Sequence, residues 1–183
     1  MPNIEPESQK QRDTGAPWIS PALIESTNRS SLDYSDEFAS LTRKLSRQLP
    51  VRRAVLVFRE PEGNRLVAMA TWCGGERRTL SLRLPRESSL FAHVAEDGRD
   101  YAENFCACFS GNAFERRLLL DEDSNAFILH PVKFDGGVVG LMGFSSDDPS
   151  AFATCDDGFF DFLTADLAVK IVKFQRQLYS ANR

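Results

Sequence analysis

Long apolar runs are missing from this 183-residue chain. No run approaches the roughly 20 apolar residues that a membrane-spanning helix needs. The first residues also lack the basic stretch followed by an apolar stretch that is typical of a signal peptide. The sequence therefore predicts a cytoplasmic protein that has no membrane partner.

Basic residues are not in excess. The chain has 22 Lys and Arg against 26 Asp and Glu, which gives a formal net charge of -4. A surface that binds nucleic acid neutralises phosphates with Lys and Arg. The charge balance therefore argues against a nucleic-acid partner.

Cysteine and histidine are also scarce, and their spacing fits no metal motif. The chain has 4 Cys and 2 His. Cys106 and Cys108 are too close together for a Cys-x2-Cys pair, and His93 and His130 lie at no ligand spacing from them. We therefore predict no metal site. Without an export signal we expect reduced cysteines that mostly fill the core.

The chain length suits one domain plus an extension. Residues 1–32 are rich in proline and polar residues and lack periodicity, so we predict a disordered tail there. Only the segment Trp18–Ile24 is apolar enough to dock on the folded body or on a partner. The folded domain is predicted to span residues 33–180.

The rest of the chain alternates between helical and strand patterns. A first helix is predicted from an N-cap at Ser35 to Pro50, and short helices are predicted after Ser88 and over 112–120. Strand patterns occupy 53–59, 65–73, 79–84, 100–105, 126–132 and 138–145. Short turns between strands predict hairpins. We therefore predict an α+β fold with a central antiparallel sheet of about six strands and helices mainly on one face.

The last predicted helix, over 158–178, is apolar on two faces. Thr154 and Asp157 have the spacing of a capping box at its start. One face carries Phe160, Leu163, Leu167, Ile171, Phe174 and Leu178, and the nearly opposite face carries Phe162, Ala165, Val169 and Val172. One apolar face suffices to dock a helix on its sheet. The second face predicts contact with the first helix or with a second subunit.

The segment 125–157 combines a strand ending at Pro131, a hairpin at Asp135–Gly136, a Val139–Leu141 strand and a loop with Phe152. This order resembles the end of a GAF domain. Ser88 to Phe105 also resembles the central helix and following strand of that family, so the resemblance covers roughly residues 36–178.

The resemblance implies a sensory or regulatory domain with a GAF/PAS-like fold. Members of the family bind small molecules between the sheet and a layer of helices and loops, and often dimerise through their terminal helices. The resemblance does not identify a cofactor. The chain lacks the family's cyclic-nucleotide signature, and no Cys precedes His as in bilin attachment. We therefore expect a small-molecule ligand and a homodimer.

The candidate ligand-binding residues come from the segment that matches the family's pocket. They are Phe91, Tyr101, Phe105, Cys106, Cys108, Phe109, Phe114, Arg116 and His130. The aromatic residues would line an apolar pocket or fill a core. Arg116 would bind an anion or lie at the solvated surface. His130 would bind a ligand or serve as a satisfied structural histidine.

Two alternatives remain open. The first is a ligand-free dimerisation or partner-binding module whose cavity is filled. The second is a thiol-dependent reductase of free methionine sulfoxide, an activity of some stand-alone relatives. Cys106 and Cys108 stand earlier than the cysteines of those relatives, which would fall near Leu120. We therefore predict no catalytic residue and no enzyme activity.

Overall fold

A computed structural model describes residues 34–180 except 105 and 156. The tail predicted over 1–32, with its apolar segment Trp18–Ile24, lies outside the described residues. The helices are α1 (34–45), α2 (Leu90–Asp97), α3 (Ala113–Leu119) and α4 (Asp157–Ser180), with a 3-10 turn at Cys106–Cys108. The strands are β1 (Arg53–Arg59), β2 (Leu66–Cys73), β3 (Glu76–Arg83), β4 (Tyr101–Glu103), β5 (Ala126–Phe134) and β6 (Gly137–Ser146).

All neighbouring strands pair antiparallel in one six-stranded sheet of order β3-β2-β1-β6-β5-β4. The predicted class and strand number are confirmed. The β5–β6 hairpin is confirmed as well, with Phe134 opposite Gly137. Asp135 and Gly136 turn the chain there with φ of 50° and 77°, a region in which glycine is not strained.

The central strands bury both faces, so helices cover both sides of the sheet. In β1, Ala54 and Leu56 point to a layer formed with α1 and α4, while Val55 and Val57 point to a layer formed with α2 and α3. We call these the α1–α4 layer and the α2–α3 layer. The two long helices, α1 and α4, cover one face and the two short helices, α2 and α3, cover the other, because a sheet with two apolar faces needs a cover on each.

Helix α4 packs on the sheet through the first of its predicted apolar faces. A Cβ placed on Gly140 would lie 2.5 Å from the Val57 carbonyl oxygen and 3.6 Å from Ile171 Cδ1, so the glycine lets α4 approach the sheet closely. Because α4 begins at Asp157, Thr154 is not its N-cap and lies in the preceding turn.

Helix α1 runs along α4. The Tyr34 ring packs against Phe174 at a centroid distance of 4.7 Å, and Lys170 Nζ lies 2.7 Å from Glu37 Oε2. Burial raises the pKa of Tyr34 to about 12. Ser35 lies within α1, so the prediction that Ser35 is the N-cap of this helix is wrong.

One further prediction needs correction. The N-cap of α2 is Ser89, whose side chain accepts a hydrogen bond from the Ala92 amide, and not Ser88. Strand β3 is mostly exposed, with Leu82 41% exposed, because it is the edge of the sheet. Among the described residues, no helix is both long and apolar enough to cross a membrane.

Candidate functional site

The α2–α3 layer contains most of the predicted site residues. Helix α2 begins at its Ser89 cap and ends at Gly98, which has a left-handed backbone with φ of 66°. Its apolar face, which includes Phe91 and Val94, packs on the strands beneath. Helix α3 and the 3-10 turn complete the cover.

Four predicted residues belong to the apolar core of this layer, which also contains Phe127. Phe91 is fully buried, and Cys106 is 5% exposed. The rings of Tyr101 and Phe109 lie 6.0 Å and 5.3 Å from the Phe127 ring. Tyr101 and Phe109 therefore pack on Phe127, within the same apolar core that contains Phe91 and Cys106.

Three predicted residues lie at the surface of the layer. Cys108 is exposed, and Phe114 is 53% exposed. Arg116 is exposed, and its Nη1 donates to the Cys106 carbonyl oxygen at 3.2 Å, so its guanidinium braces the 3-10 turn. Phe105 lies outside the described residues.

His130 is separate from this cluster, because strand residues alternate between faces and it points into the α1–α4 layer. The side chain is fully buried, with Nδ1 2.7 Å from Asp100 Oδ1 and Nε2 3.3 Å from Thr164 Oγ1. Its ring also packs against Phe160. These contacts account for both ring nitrogens in a structural role, and the structure does not bring His130 together with the other candidate ligand residues.

Glu115 is the residue of this region that the sequence analysis missed. It is fully buried, and its carboxylate accepts hydrogen bonds from the Ser89 hydroxyl and from the amides of Leu90, Phe91 and Asn112. Burial raises its pKa, and these hydrogen bonds oppose the rise. Asn112 and Glu115 also form a capping box at the start of α3. The Asn-x-x-Glu spacing in the sequence predicts this capping box.

The α2–α3 layer is closely packed where α3 meets the sheet. A Cβ on Gly143 would lie 2.8 Å from Leu119 Cδ1, 2.9 Å from Val55 Cγ1 and 3.0 Å from Leu129 Cδ2. Real Cβ atoms essentially never approach so closely. Leu119 therefore occupies space that a larger residue at position 143 would need.

A groove of about 570 Å³ lies elsewhere, between the β1–β2 turn and the end of α4. It is lined by Arg59, Glu60, Pro61, Glu62, Asn64, Val138, Val139, Val172, Gln175 and Arg176. None of the predicted site residues belongs to this lining.

The environment of Cys106 does not favour nucleophilic chemistry. Burial raises the pKa of its thiol, and the nearby Arg116 offsets only part of that effect. A reactive cysteine needs a lowered pKa and access to substrate. Within the described part of the chain, no three His, Cys, Asp or Glu side chains cluster as metal ligands.

Comparison with known proteins identifies the family that this fold resembles. The GAF domain family model matches residues 33–171. The GAF domain of a two-component sensor histidine kinase from Bacillus halodurans superposes with a TM-score of 0.59 at 18% identity, covering 79% of this chain and 96% of that one. The GAF domain from an Acinetobacter phosphoenolpyruvate-protein phosphotransferase gives a TM-score of 0.55 at 18% identity, covering 85% and 95%.

An enzyme has the same fold. The type II free methionine-R-sulfoxide reductase from Thermoplasma acidophilum gives a TM-score of 0.60 at 12% identity, covering 79% of this chain and 96% of that one. A search of curated proteins finds no match. At these low identities, the solved structures support the fold alone. The family model covers most of the sequence and therefore supports membership of the family. The chain belongs to the GAF domain family, a family of regulatory and sensory domains.

Proposed function

We propose that this GAF domain is a regulatory module that works as a homodimer through α4. The observation that carries the proposal is the second apolar face of α4, which we call the α4 stripe: Phe162, Ala165, Val169 and Val172. Phe162 is 87% exposed and Val169 is 40% exposed. An exposed apolar patch of this kind is typical of a protein–protein contact.

The packing of α1 supports a second subunit as the partner of the α4 stripe. The sequence left two candidates for this face, the first helix and another copy of the chain. Helix α1 meets α4 through Glu37 with Lys170 and through Tyr34 with Phe174, which lie away from the stripe. This packing leaves the α4 stripe open to a second copy, and twofold pairing is the commonest arrangement of soluble oligomers.

We further propose that a small molecule regulates this dimer by binding in the α2–α3 layer. The clustering of Phe91, Cys106 and Phe109 over one face of the sheet supports this site. The other face of the same sheet carries α4, so a change in strand position would reach the α4 stripe. A ligand shifts that arrangement only if it binds two states with different affinity.

A ligand-free dimerisation module is the second candidate, and the contact of Leu119 with the Gly143 position favours it. A thermal-shift series with nucleotides, amino acids and anions separates the two. A stabilising compound supports the ligand-regulated form, and no shift across the series supports the ligand-free form.

The proposal includes no thiol reductase activity, because the Cys106 pKa is raised and Cys106 is buried. We expect no turnover of free methionine sulfoxide with a thiol reductant. Turnover that is lost in Cys106→Ser would contradict this part of the proposal. A cytoplasmic location stays a prediction.

The test of dimerisation is Val169→Glu, measured by light scattering over a concentration series. We expect the parent to be a dimer and the variant to be a monomer, because a carboxylate in an apolar interface loses its hydration without a partner. Leu82→Glu is the matched control, since Leu82 is 41% exposed but lies on β3. A parent protein that stays monomeric throughout the series contradicts the proposal.

A further inference from the structure

Residues 106–118, which we call the lid, lie across the α2–α3 layer with few apolar anchors of their own and end just before Leu119, which holds α3 on the sheet. Cys106 and Glu115 are buried, and Phe109 and Leu118 are partly buried. The exposed members are Cys108, Ser110, Ala113, Phe114, Arg116 and Arg117. A segment with so little buried apolar surface opens at a lower free energy than a core strand.

The main polar attachment of the lid is the Glu115 carboxylate. Its Oε1 accepts from the Phe91 amide at 3.1 Å and from the Ser89 hydroxyl, and its Oε2 accepts from the Leu90 amide at 3.0 Å. These donors belong to the first turn of α2, outside the lid. The carboxylate therefore joins α3 to the start of α2.

The lid is also folded tightly around this carboxylate. Asn112 donates its amide to Glu115 Oε2 at 3.2 Å. A Cβ on Gly111 would lie 2.4 Å from the same oxygen and 2.5 Å from Phe109 Cε1. A side chain at position 111 would have to displace the carboxylate or the Phe109 ring, so the loop, the ring and the carboxylate form one packed unit.

The groups that donate hydrogen bonds to this buried carboxylate are all neutral. Among the described residues, none of the ion pairs includes Glu115. The groups packed on it are hydroxyl, amide and aromatic groups, and Arg116 is directed to the Cys106 carbonyl. Burial accordingly raises the pKa of Glu115, and opening the lid would return the carboxylate to water.

We propose that residues 106–118 act as a lid over the α2–α3 layer, with Glu115 as its latch and Cys106 as its buried first residue, which opening exposes to solvent. This inference rests on the proposed regulatory role, because the lid closes the layer in which a ligand would bind. A ligand reaches Phe91 and Phe127 only when the bonds between Glu115 and the start of α2 break.

The chain carries its own reporters of lid opening. Cys106 is buried and Cys108 is exposed, and both lie in the same 3-10 turn. Alkylation by iodoacetamide, followed residue by residue with mass spectrometry, measures their access to solvent. We expect Cys106 in the parent to react far more slowly than Cys108, at a rate that hardly changes with low urea concentrations. Local opening exposes little surface and so depends little on urea.

The test of the latch is Glu115→Ala, with Glu122→Ala as control because Glu122 is an exposed carboxylate just beyond α3. We expect the ratio of the Cys106 rate to the Cys108 rate to rise at least about tenfold in Glu115→Ala. The ratio should stay unchanged in Glu122→Ala. An unchanged ratio in both variants contradicts the latch.

The parent protein gives a second test that does not depend on how well the variant folds. If the Cys106 rate rises with urea as steeply as global unfolding does, Cys106 is exposed only when the domain unfolds, and the proposal is wrong. Light scattering on the same samples reports the oligomeric state separately. Failure of the lid and failure of the dimer are therefore distinguishable.

Discussion

At the scale of single residues, the most informative side chains are two buried titratable groups that serve structure in different ways. Glu115 satisfies its oxygens with neutral donors from two helices. His130 bridges Asp100 and Thr164 on the opposite face of the sheet. Each is a polar group whose burial is tolerated only because its partners are present.

The raised pKa of Glu115 predicts a pH-dependent stability. A carboxyl whose pKa is raised in the folded state contributes stability that is complete below its unfolded pKa, about 4.3, and is lost as the pH rises through the raised value. Glu115→Gln should remove this part of the pH dependence, because the amide does not titrate. Urea unfolding across that pH range measures it.

Glu122→Gln is the control for this experiment, since that residue is exposed. Its pH profile should follow the parent profile. A Glu115→Gln profile with the same slope as the parent would show that Glu115 does not change its protonation on folding.

His130→Leu should lower the free energy of unfolding by about 1–3 kcal/mol, because Asp100 and Thr164 lose their buried partner. The matched control is His93→Leu, which changes an exposed histidine and should alter stability by less than about 0.5 kcal/mol. Chemical denaturation compares both with the parent. Equal small effects would contradict the structural role of His130.

At the scale of elements, much of the sheet could be predicted from the sequence because strand periodicity and turn residues are local. The β5–β6 hairpin follows from Asp135–Gly136, whose backbone the turn requires. The short helices on the second face were not specified, although the unbroken apolar run Ala54–Phe58 indicates a strand that is buried on both sides.

The candidate site was less predictable, because it depends on register and long-range packing. The face that His130 occupies follows from the pairing of β5, which no local pattern fixes. The role of Glu115 depends on α2, whose first turn lies more than twenty residues earlier in the chain. The capping box at Asn112 explained the start of α3 but not this second contact.

The contact between α3 and the sheet gives a prediction about Gly143. Gly143→Ala should lower the free energy of unfolding by about 1–3 kcal/mol, because its Cβ would meet Leu119, Val55 and Leu129 together. Gly137→Ala, in the same strand, is the control, since the nearest atom to its Cβ would be 3.7 Å away. Equal stability of the two variants under urea would show that α3 is not packed closely there.

At the scale of the whole molecule, the sheet separates two layers with different roles in our account. The α2–α3 layer holds the lid and the candidate ligand residues, and the α1–α4 layer carries the α4 stripe. Strands β1, β5 and β6 contribute side chains to both. A structural change in one layer therefore acts on strands that also pack against the other layer.

The central claim is that two copies of the chain pair through α4, and sedimentation equilibrium tests it most directly. We predict a reversible dimer for the parent and for Leu82→Glu, and a dissociation constant at least about tenfold weaker for Val169→Glu. Equal dissociation constants for the parent and Val169→Glu, or a parent that sediments as a monomer at every concentration, would contradict the account.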